Sequence, residues 1–125
     1  MFADTDFLLA LLKPSDWLKG NALKILKKNK GNISTSLSCA LELALLCKRL
    51  HLPINETFAN LFELVSINEK DRIISLRAAT YISRYDFNVF DAFHAASCEE
   101  DVIISSDKVY DRIGLKRVDL GNDNS

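Results

Sequence analysis

The fold is decided by residues 88–107, NVFDAFHAASCEEDVIISSD, where a helical pattern is followed by an apolar run that ends on an acid. Asn88 is a residue type that begins helices, and Asp91 follows in the expected first turn, where a carboxylate is favourable. The apolar run is short and bounded by polar residues, which is typical of a strand. Asp91 and Asp107 can both act as helix-start residues, so neither acid alone indicates a function.

Composition limits the class of protein. The chain has 125 residues, of which 48% are hydrophobic, and this is enough for one compact core. Its 16 Lys and Arg against 17 Asp and Glu give a net charge of −1, so a nucleic-acid partner would have to meet a local basic surface. We expect a single domain over residues 1–120 and a polar C-terminal tail over residues 121–125.

Several features favour a cytoplasmic protein without a membrane partner. Cys39, Cys47 and Cys98 lie among Ala, Leu and Ser without a C-x-x-C pair, which favours reduced, buried thiols over a disulfide or zinc site. The opening MFAD lacks the charged and apolar regions of a signal peptide. The apolar run 37–47 contains Glu42 and is shorter than the ~20 residues of a membrane span.

Helical and strand-like patterns alternate along the chain. Helices are expected at residues 7–12, 17–30, 36–50, 57–64 and 71–85 and from residue 88, and short strands at residues 2–3, 32–35, 65–67, 102–105 and 115–120. This predicts the α/β class, as a three-layer α/β/α sandwich with a mostly parallel central sheet of about five short strands. We expect Trp17, Ile73 and His94 to pack in the core.

Four acids are candidates for one site. Asp4 and Asp107 each follow a strand, and parallel sheets place function at the carboxyl ends of their strands. Glu42 interrupts an apolar helix, and Asp91 opens the helix before the fourth strand. Carboxylates at ~4 Å repel by about 4 kcal/mol per pair at an effective dielectric near 20. Such a cluster favours bound cations, and oxygen-only ligands favour Mg²⁺ or Mn²⁺, which suit phosphodiester chemistry. Alternatively, Glu42 faces water and the aspartates are helix-start residues.

Four motifs carry a family resemblance: FADTDFLLALL at the start, ALELALL around Glu42, FDAFHAA around Asp91 and IISSDKVYDRIGLKRV at the end. Together they resemble a PIN domain, and within that family the VapC-like toxin ribonucleases. The resemblance implies a metal-dependent endoribonuclease that hydrolyses RNA phosphodiester bonds. It also implies the toxin of a toxin–antitoxin pair, a small antitoxin partner and a homodimer. The family's four acidic positions fall on Asp4, Glu42, Asp91 and Asp107.

Supporting residues follow from the same resemblance. Thr5 and Ser105 match the small hydroxyl residues near the first and last acids, and Tyr110 matches an aromatic after the last acid. Asp6 stands where Ser or Asn is commoner, so it is either a further ligand or, as we expect, a helix cap. The first strand is minimal, which suggests a shortened start. Three cationic side chains are candidates for guiding RNA: Arg49, Lys108 and Arg112.

Two other functions remain open. Asp4 and Asp6 form a D-x-D that would suit a haloacid-dehalogenase-like phosphatase, with Asp4 as nucleophile and Asp6 as acid. That reading leaves Glu42 unexplained, and the chain is short for it. A PIN-like domain that no longer cleaves RNA, and instead serves in binding or dimerisation, is the other alternative.

Overall fold

A computed structural model describes residues 1–121. The six α-helices are α1 (Thr5–Leu12), α2 (Lys19–Lys28), α3 (Leu37–Arg49), α4 (Ile54–Leu64), α5 (Glu69–Tyr85) and α6 (Val89–Cys98). The strands are β1 (Ile103–Ser105) and β2 (Arg117–Asp119), separated by a 3-10 helix over Lys108–Ile113. All the predicted helices are therefore present, and most boundaries lie within a few residues of those expected. Residues 122–125, most of the predicted polar tail, lie outside the described part of the chain.

Helix starts are fixed by side-chain caps. The side-chain oxygens of Asp4, Ser36, Asn68 and Asn88 each accept a hydrogen bond from a backbone N–H in the first turn of the following helix. These N–H groups have no partner inside the helix, so each cap stabilises the helix start. Asp6, predicted as the cap of the first helix, was the wrong residue, because Asp4 caps it and Asp6 lies in the first turn.

The predicted central sheet of five strands is not seen in residues 1–121. β1 and β2 form a two-stranded parallel sheet in which Ile104 is opposite Val118. The other three predicted strands meet through single parallel bridges, from Phe2 to Ser34 and from Ser34 to Ser66. The structure is thus mostly helical, with little strand in its centre.

The reason for the short strands lies in the residues that follow them. Four of the five paired segments, all except β2, are followed by a residue that caps a helix, two positions after a pairing residue, so the chain turns into the helix before a longer strand can form. The pairs are Phe2 and Asp4, Ser34 and Ser36, Ser66 and Asn68, and Ser105 and Asp107. Parallel pairing places the first three caps at the same end of the bridged segments.

The core is built around α3, which packs against α1, α4, α5 and α6. Leu43 of α3 is fully buried together with Leu8, Phe58 and Phe87. Cys39 and Cys47 are buried on α3, as the sequence predicted. Across residues 1–121, no helix has both the length and the apolar content that a membrane span requires.

Two predicted core residues are on the surface. Trp17 is 89% exposed because it lies in the turn before α2, so it does not share the buried face of that helix. Ile73 is 45% exposed. The buried face of α5 is formed by Ile74, Ser75, Ala78 and Ala79, which repeat at helical spacing and leave Ile73 at the edge.

Candidate active site

Asp91 is held by two side chains from different parts of the chain. Its Oδ2 accepts a hydrogen bond of 2.7 Å from Asn88 Nδ2, and its Oδ1 accepts one of 3.3 Å from the Tyr110 hydroxyl. Asn88 also accepts a bond from the Asp91 backbone N–H and so begins α6. The half-buried carboxylate is therefore fixed between the start of α6 and the 3-10 helix.

The hydroxyl of Tyr110 is influenced by the charges of both Asp91 and Asp107. Its ring is buried, and burial raises the pKa of its hydroxyl to about 12, with further contributions from the charge of Asp91, the hydrogen bond to Asp91 and the charge of Asp107. The two carboxylates therefore act on the same phenol. At neutral pH Tyr110 therefore keeps its proton and donates a hydrogen bond to Asp91.

Asp107 occupies a tight turn after β1. Its Oδ1 accepts a hydrogen bond of 2.9 Å from the Val109 backbone N–H, and its own N–H donates to Ser105 Oγ at 3.0 Å. Ser105, predicted as a supporting residue, thus shapes the turn that carries Asp107. The carboxylate of Asp107 is exposed and so open to a ligand.

Asp4 lies at the equivalent position after the first bridged segment. Its exposed carboxylate accepts a hydrogen bond of 2.7 Å from the Thr5 N–H. Thr5 is 3% exposed, and its Oγ1 has no hydrogen-bond partner among the described residues. A buried hydroxyl without a partner is costly, so Thr5 is an unusual feature beside this acid.

Glu42 projects from the surface of α3. The buried face of this helix carries Cys39, Ala40, Leu43, Ala44 and Cys47, and Glu42 lies outside it and is exposed. The start of α3 nevertheless contacts the first segment, because the Cys39 thiol donates a hydrogen bond of 3.7 Å to the Ala3 carbonyl oxygen. Glu42 follows Cys39 by one helical turn.

The four acids lie in two regions of the described structure. Asp91 accepts a hydrogen bond from Tyr110, on which the charge of Asp107 also acts, whereas Asp4 and Glu42 belong to segments joined through Ala3 and Cys39. Within the described chain, no group of three or more His, Cys, Asp or Glu side chains is placed to hold a metal ion. No backbone hydrogen bond in residues 1–121 connects Phe2 to β1, so the two parts of the sheet are not joined.

Comparison with known families identifies the chain. The PIN domain family matches residues 1–116. The chain belongs to the PIN domain family. PIN domains are generally nucleases that use divalent metal ions and act on RNA, so the general enzyme class expected from the sequence agrees with the family. Searches among curated proteins and among solved structures returned no similar protein.

The cationic side chains expected near the site of this PIN domain differ in whether other groups of the protein already bind them. The Arg112 guanidinium lies 5.4 Å from the centre of the Phe87 ring and donates a hydrogen bond to the Tyr85 carbonyl, so it stabilises the α5–α6 junction. Arg49 and Lys108 are exposed and form no ion pair or side-chain hydrogen bond within residues 1–121. They are therefore better placed than Arg112 to meet a phosphate.

Arg117 has a structural role that its sequence context did not indicate. Its guanidinium donates to both carboxylate oxygens of Asp111 at 3.0 and 3.1 Å and to the Ser105 carbonyl at 3.0 Å. It also lies 3.3 Å from Asp119. Hydrogen bonding to Arg117 lowers the pKa of the Asp111 carboxyl. Arg117 thereby fastens the 3-10 helix and β1, the two elements on either side of Asp107.

His94 was predicted to pack in the core, and this was wrong. The buried positions of α6 include Ala92, Phe93, Ala95 and Ala96, and His94 falls on the opposite, exposed face. It borders an open groove of about 560 Å³ that is also lined by Ser105 and Tyr110. The helical spacing of the alanines was the signal that could have placed His94 on the surface.

Proposed function

We propose that this PIN domain is a Mg²⁺- or Mn²⁺-dependent endoribonuclease that hydrolyses RNA phosphodiester bonds. The observation that supports it best is the hydrogen bond from the Tyr110 hydroxyl to Asp91, with the charge of Asp107 also acting on that hydroxyl, in a chain that belongs to the PIN family. Asn88 holds the Asp91 carboxylate, and Ser105 shapes the turn that carries Asp107. Such orientation is typical of groups that bind a ligand.

The donor chemistry of the candidate residues fits a hard divalent ion. We propose that Asp91 and Asp107, with Asp4 and Glu42, hold it through carboxylate oxygens, because oxygen ligands without His or Cys favour Mg²⁺ and Mn²⁺. The unpartnered hydroxyl of Thr5 is a further oxygen beside Asp4. When bound, such an ion activates water and offsets the negative charge of the phosphodiester.

The protein's own contribution would be to position these ligands. Like-charged carboxylates repel by about 4 kcal/mol per pair at ~4 Å and an effective dielectric near 20, so bringing the two pairs of acids together requires a cation. Tyr110 and Asn88 keep Asp91 in one orientation throughout. We propose that Arg49 and Lys108 guide the RNA, whereas Arg112 is already engaged.

The resemblance to VapC-like toxins supports finer proposals. We propose that the chain is the toxin of a toxin–antitoxin pair, acts in the cytoplasm as a homodimer and is neutralised by a small antitoxin protein. Residues 1–120 would form its single domain. A small DNA-binding protein encoded next to this chain would support the toxin proposal, and a neighbourhood of RNA-processing genes would argue for a processing role.

A second candidate is a PIN domain that binds or dimerises without cleaving RNA. It is favoured by one observation: within residues 1–121 no three acidic side chains are placed around a common ion. A protein of this kind would show no metal-dependent cleavage and no stabilisation by Mg²⁺ or Mn²⁺.

Cleavage assays on single-stranded RNA distinguish the candidates. We expect cleavage that requires Mg²⁺ or Mn²⁺ and that falls at least about 100-fold in Asp91→Asn and Asp107→Asn, since even indirect partners of a metal contribute 10–100-fold. Asp4→Asn and Glu42→Gln should have the same effect. Asn keeps a capping oxygen at Asp4 and Asp107 and an oxygen that can accept the Tyr110 hydrogen bond at Asp91, so these aspartate variants should fold.

The matched control is Glu56→Gln, which neutralises an exposed acid in the first turn of α4. It should cleave RNA as the parent does. Full activity in the four site variants, or cleavage that is unaffected by a chelator, would show that the assignment is wrong.

A further inference from the structure

An apolar groove lies apart from the four candidate acids. It has a volume of about 660 Å³ and lies between α2 and the end of α4. Leu23 and Leu26 form one wall, Phe62 and Leu64 form the other, and buried Ile33 lies between them. Leu23 and Leu64 are exposed, so the groove presents apolar surface to solvent, which marks a binding surface more often than chance.

The rim of this groove is basic. Lys27 of α2 and Lys30, just after this helix, line the groove, and Lys24 and Lys28 also lie on α2. All four lysines are exposed and make no ion pair or side-chain hydrogen bond in residues 1–121. α2 contains no acid, and Glu63 is the one acid in the groove wall as the structure describes it. The α2 rim therefore lacks compensating negative charge.

The lining favours a protein segment over RNA. Single-stranded RNA binds through aromatic rings on which bases stack, together with cations. Phe62 is the one aromatic side chain lining this groove in the described chain, and it is half-buried against Phe58 with ring centres 5.8 Å apart, so the groove lacks a row of exposed rings on which successive bases could stack. The remaining contacts are mostly aliphatic, and these suit the apolar face of a helix.

We infer that this groove docks an acidic amphipathic helix from another protein. Apolar side chains of the helix would enter between α2 and α4, and its Asp and Glu residues would lie beside Lys27 and Lys30. The complementarity is in both hydrophobicity and charge. This inference goes beyond the proposed nuclease function and does not depend on it, because no candidate catalytic acid lines the groove.

A displayed library of random peptides tests this inference with the full chain as target. Peptides of about 16 residues would span roughly 24 Å as helices, which is enough to occupy a groove of this kind. We expect enrichment of sequences with Leu or Phe at helical spacing and several Asp or Glu. Their affinity should fall at least about tenfold for the double variant Lys27→Glu/Lys30→Glu and for Leu23→Ser, and should weaken with salt.

Two control variants make the same kinds of substitution at positions outside the groove. Lys116→Glu alters an exposed lysine and Ile104→Ser an exposed aliphatic residue, both at the β1–β2 sheet. Peptide affinity should be unchanged in both. The inference is overturned if no peptides are enriched, if they are not acidic, or if they bind the Lys27→Glu/Lys30→Glu variant as tightly as the parent. An oligouridine RNA that binds and loses affinity in that variant would assign the rim to nucleic acid instead.

Discussion

Tyr110 is the residue on which the candidate site depends most. It is buried, it donates a hydrogen bond to Asp91, and its hydroxyl is influenced by the charge of Asp107. The sequence indicated an aromatic after the last acid only through the family resemblance. It gave no sign that the hydroxyl would contact Asp91, because that hydrogen bond links positions 19 residues apart across the fold.

The raised pKa of Tyr110 predicts a loss of stability at high pH. An unfolded tyrosine has a pKa near 10, and the folded value of about 12 means that the fold favours the protonated phenol. This contribution is fully present below about pH 10 and is lost as the pH rises towards about 12. Tyr110→Phe removes the titrating group, so the free energy of unfolding of this variant should fall less steeply than that of the parent over this pH range.

Urea unfolding of the parent and of Tyr110→Phe measures the difference between about pH 9 and about pH 11.5. Tyr85→Phe is the matched control, because Tyr85 is 40% exposed. It should follow the parent. Parallel curves for the parent and Tyr110→Phe would contradict the assigned environment of Tyr110.

At the scale of elements, the recurring feature is a short parallel segment followed by the residue that caps the next helix. Helical periodicity and capping residues are local properties, so the helices could be predicted from the sequence, and so could the positions of all five extended segments. The number of paired residues could not, because strand pairing depends on distant partners. Phe2 and Ser66 are paired through Ser34 alone, and the residues that cap α1 and α5 follow two positions later.

Asp4 has two roles at this scale, and two substitutions separate them. Asp4→Ala removes the cap of α1 and should lower the free energy of unfolding by about 0.5–2 kcal/mol. Asp4→Asn keeps a capping oxygen and should leave stability close to that of the parent. Thermal unfolding measures both.

The RNA-cleavage assay then tests the proposed metal-binding role of Asp4 in the same two variants. Both variants should lose metal-dependent cleavage, since both lack the carboxylate charge. Retention of cleavage in stable Asp4→Asn would limit Asp4 to a structural role as the cap of α1.

At the scale of the whole molecule, the structure has two parts that the sequence predicted as one sheet. Phe2, Ser34 and Ser66 form one part, and β1 and β2 form the other. Two candidate acids lie next to each part. Asp4 and Glu42 come after the Phe2 and Ser34 segments, and Asp91 and Asp107 come before and after β1. The identities of these acids could be proposed from sequence, but their spacing could not, since it depends on how the two parts approach each other.

Binding of a divalent ion across the two parts predicts stabilisation of the whole fold. An ion at ~100 times its dissociation constant adds ~2.7 kcal/mol to the free energy of unfolding. Mn²⁺ should therefore raise the melting temperature of the parent and of Glu56→Gln by similar amounts. Asp91→Asn should show little or no rise. An equal shift in Asp91→Asn would place the ion elsewhere.

The most direct test of the proposed metal site is a crystal structure of the protein grown with saturating Mn²⁺, using anomalous scattering to locate the ion. We predict a peak at about 2.0–2.3 Å from carboxylate oxygens of Asp91 and Asp107, with Asp4 and Glu42 bound directly or through water. In that structure Tyr110 still donates to Asp91. A map with no peak between these acids, and with Asp4 and Glu42 remote from Asp91 and Asp107, would contradict the proposed four-acid site.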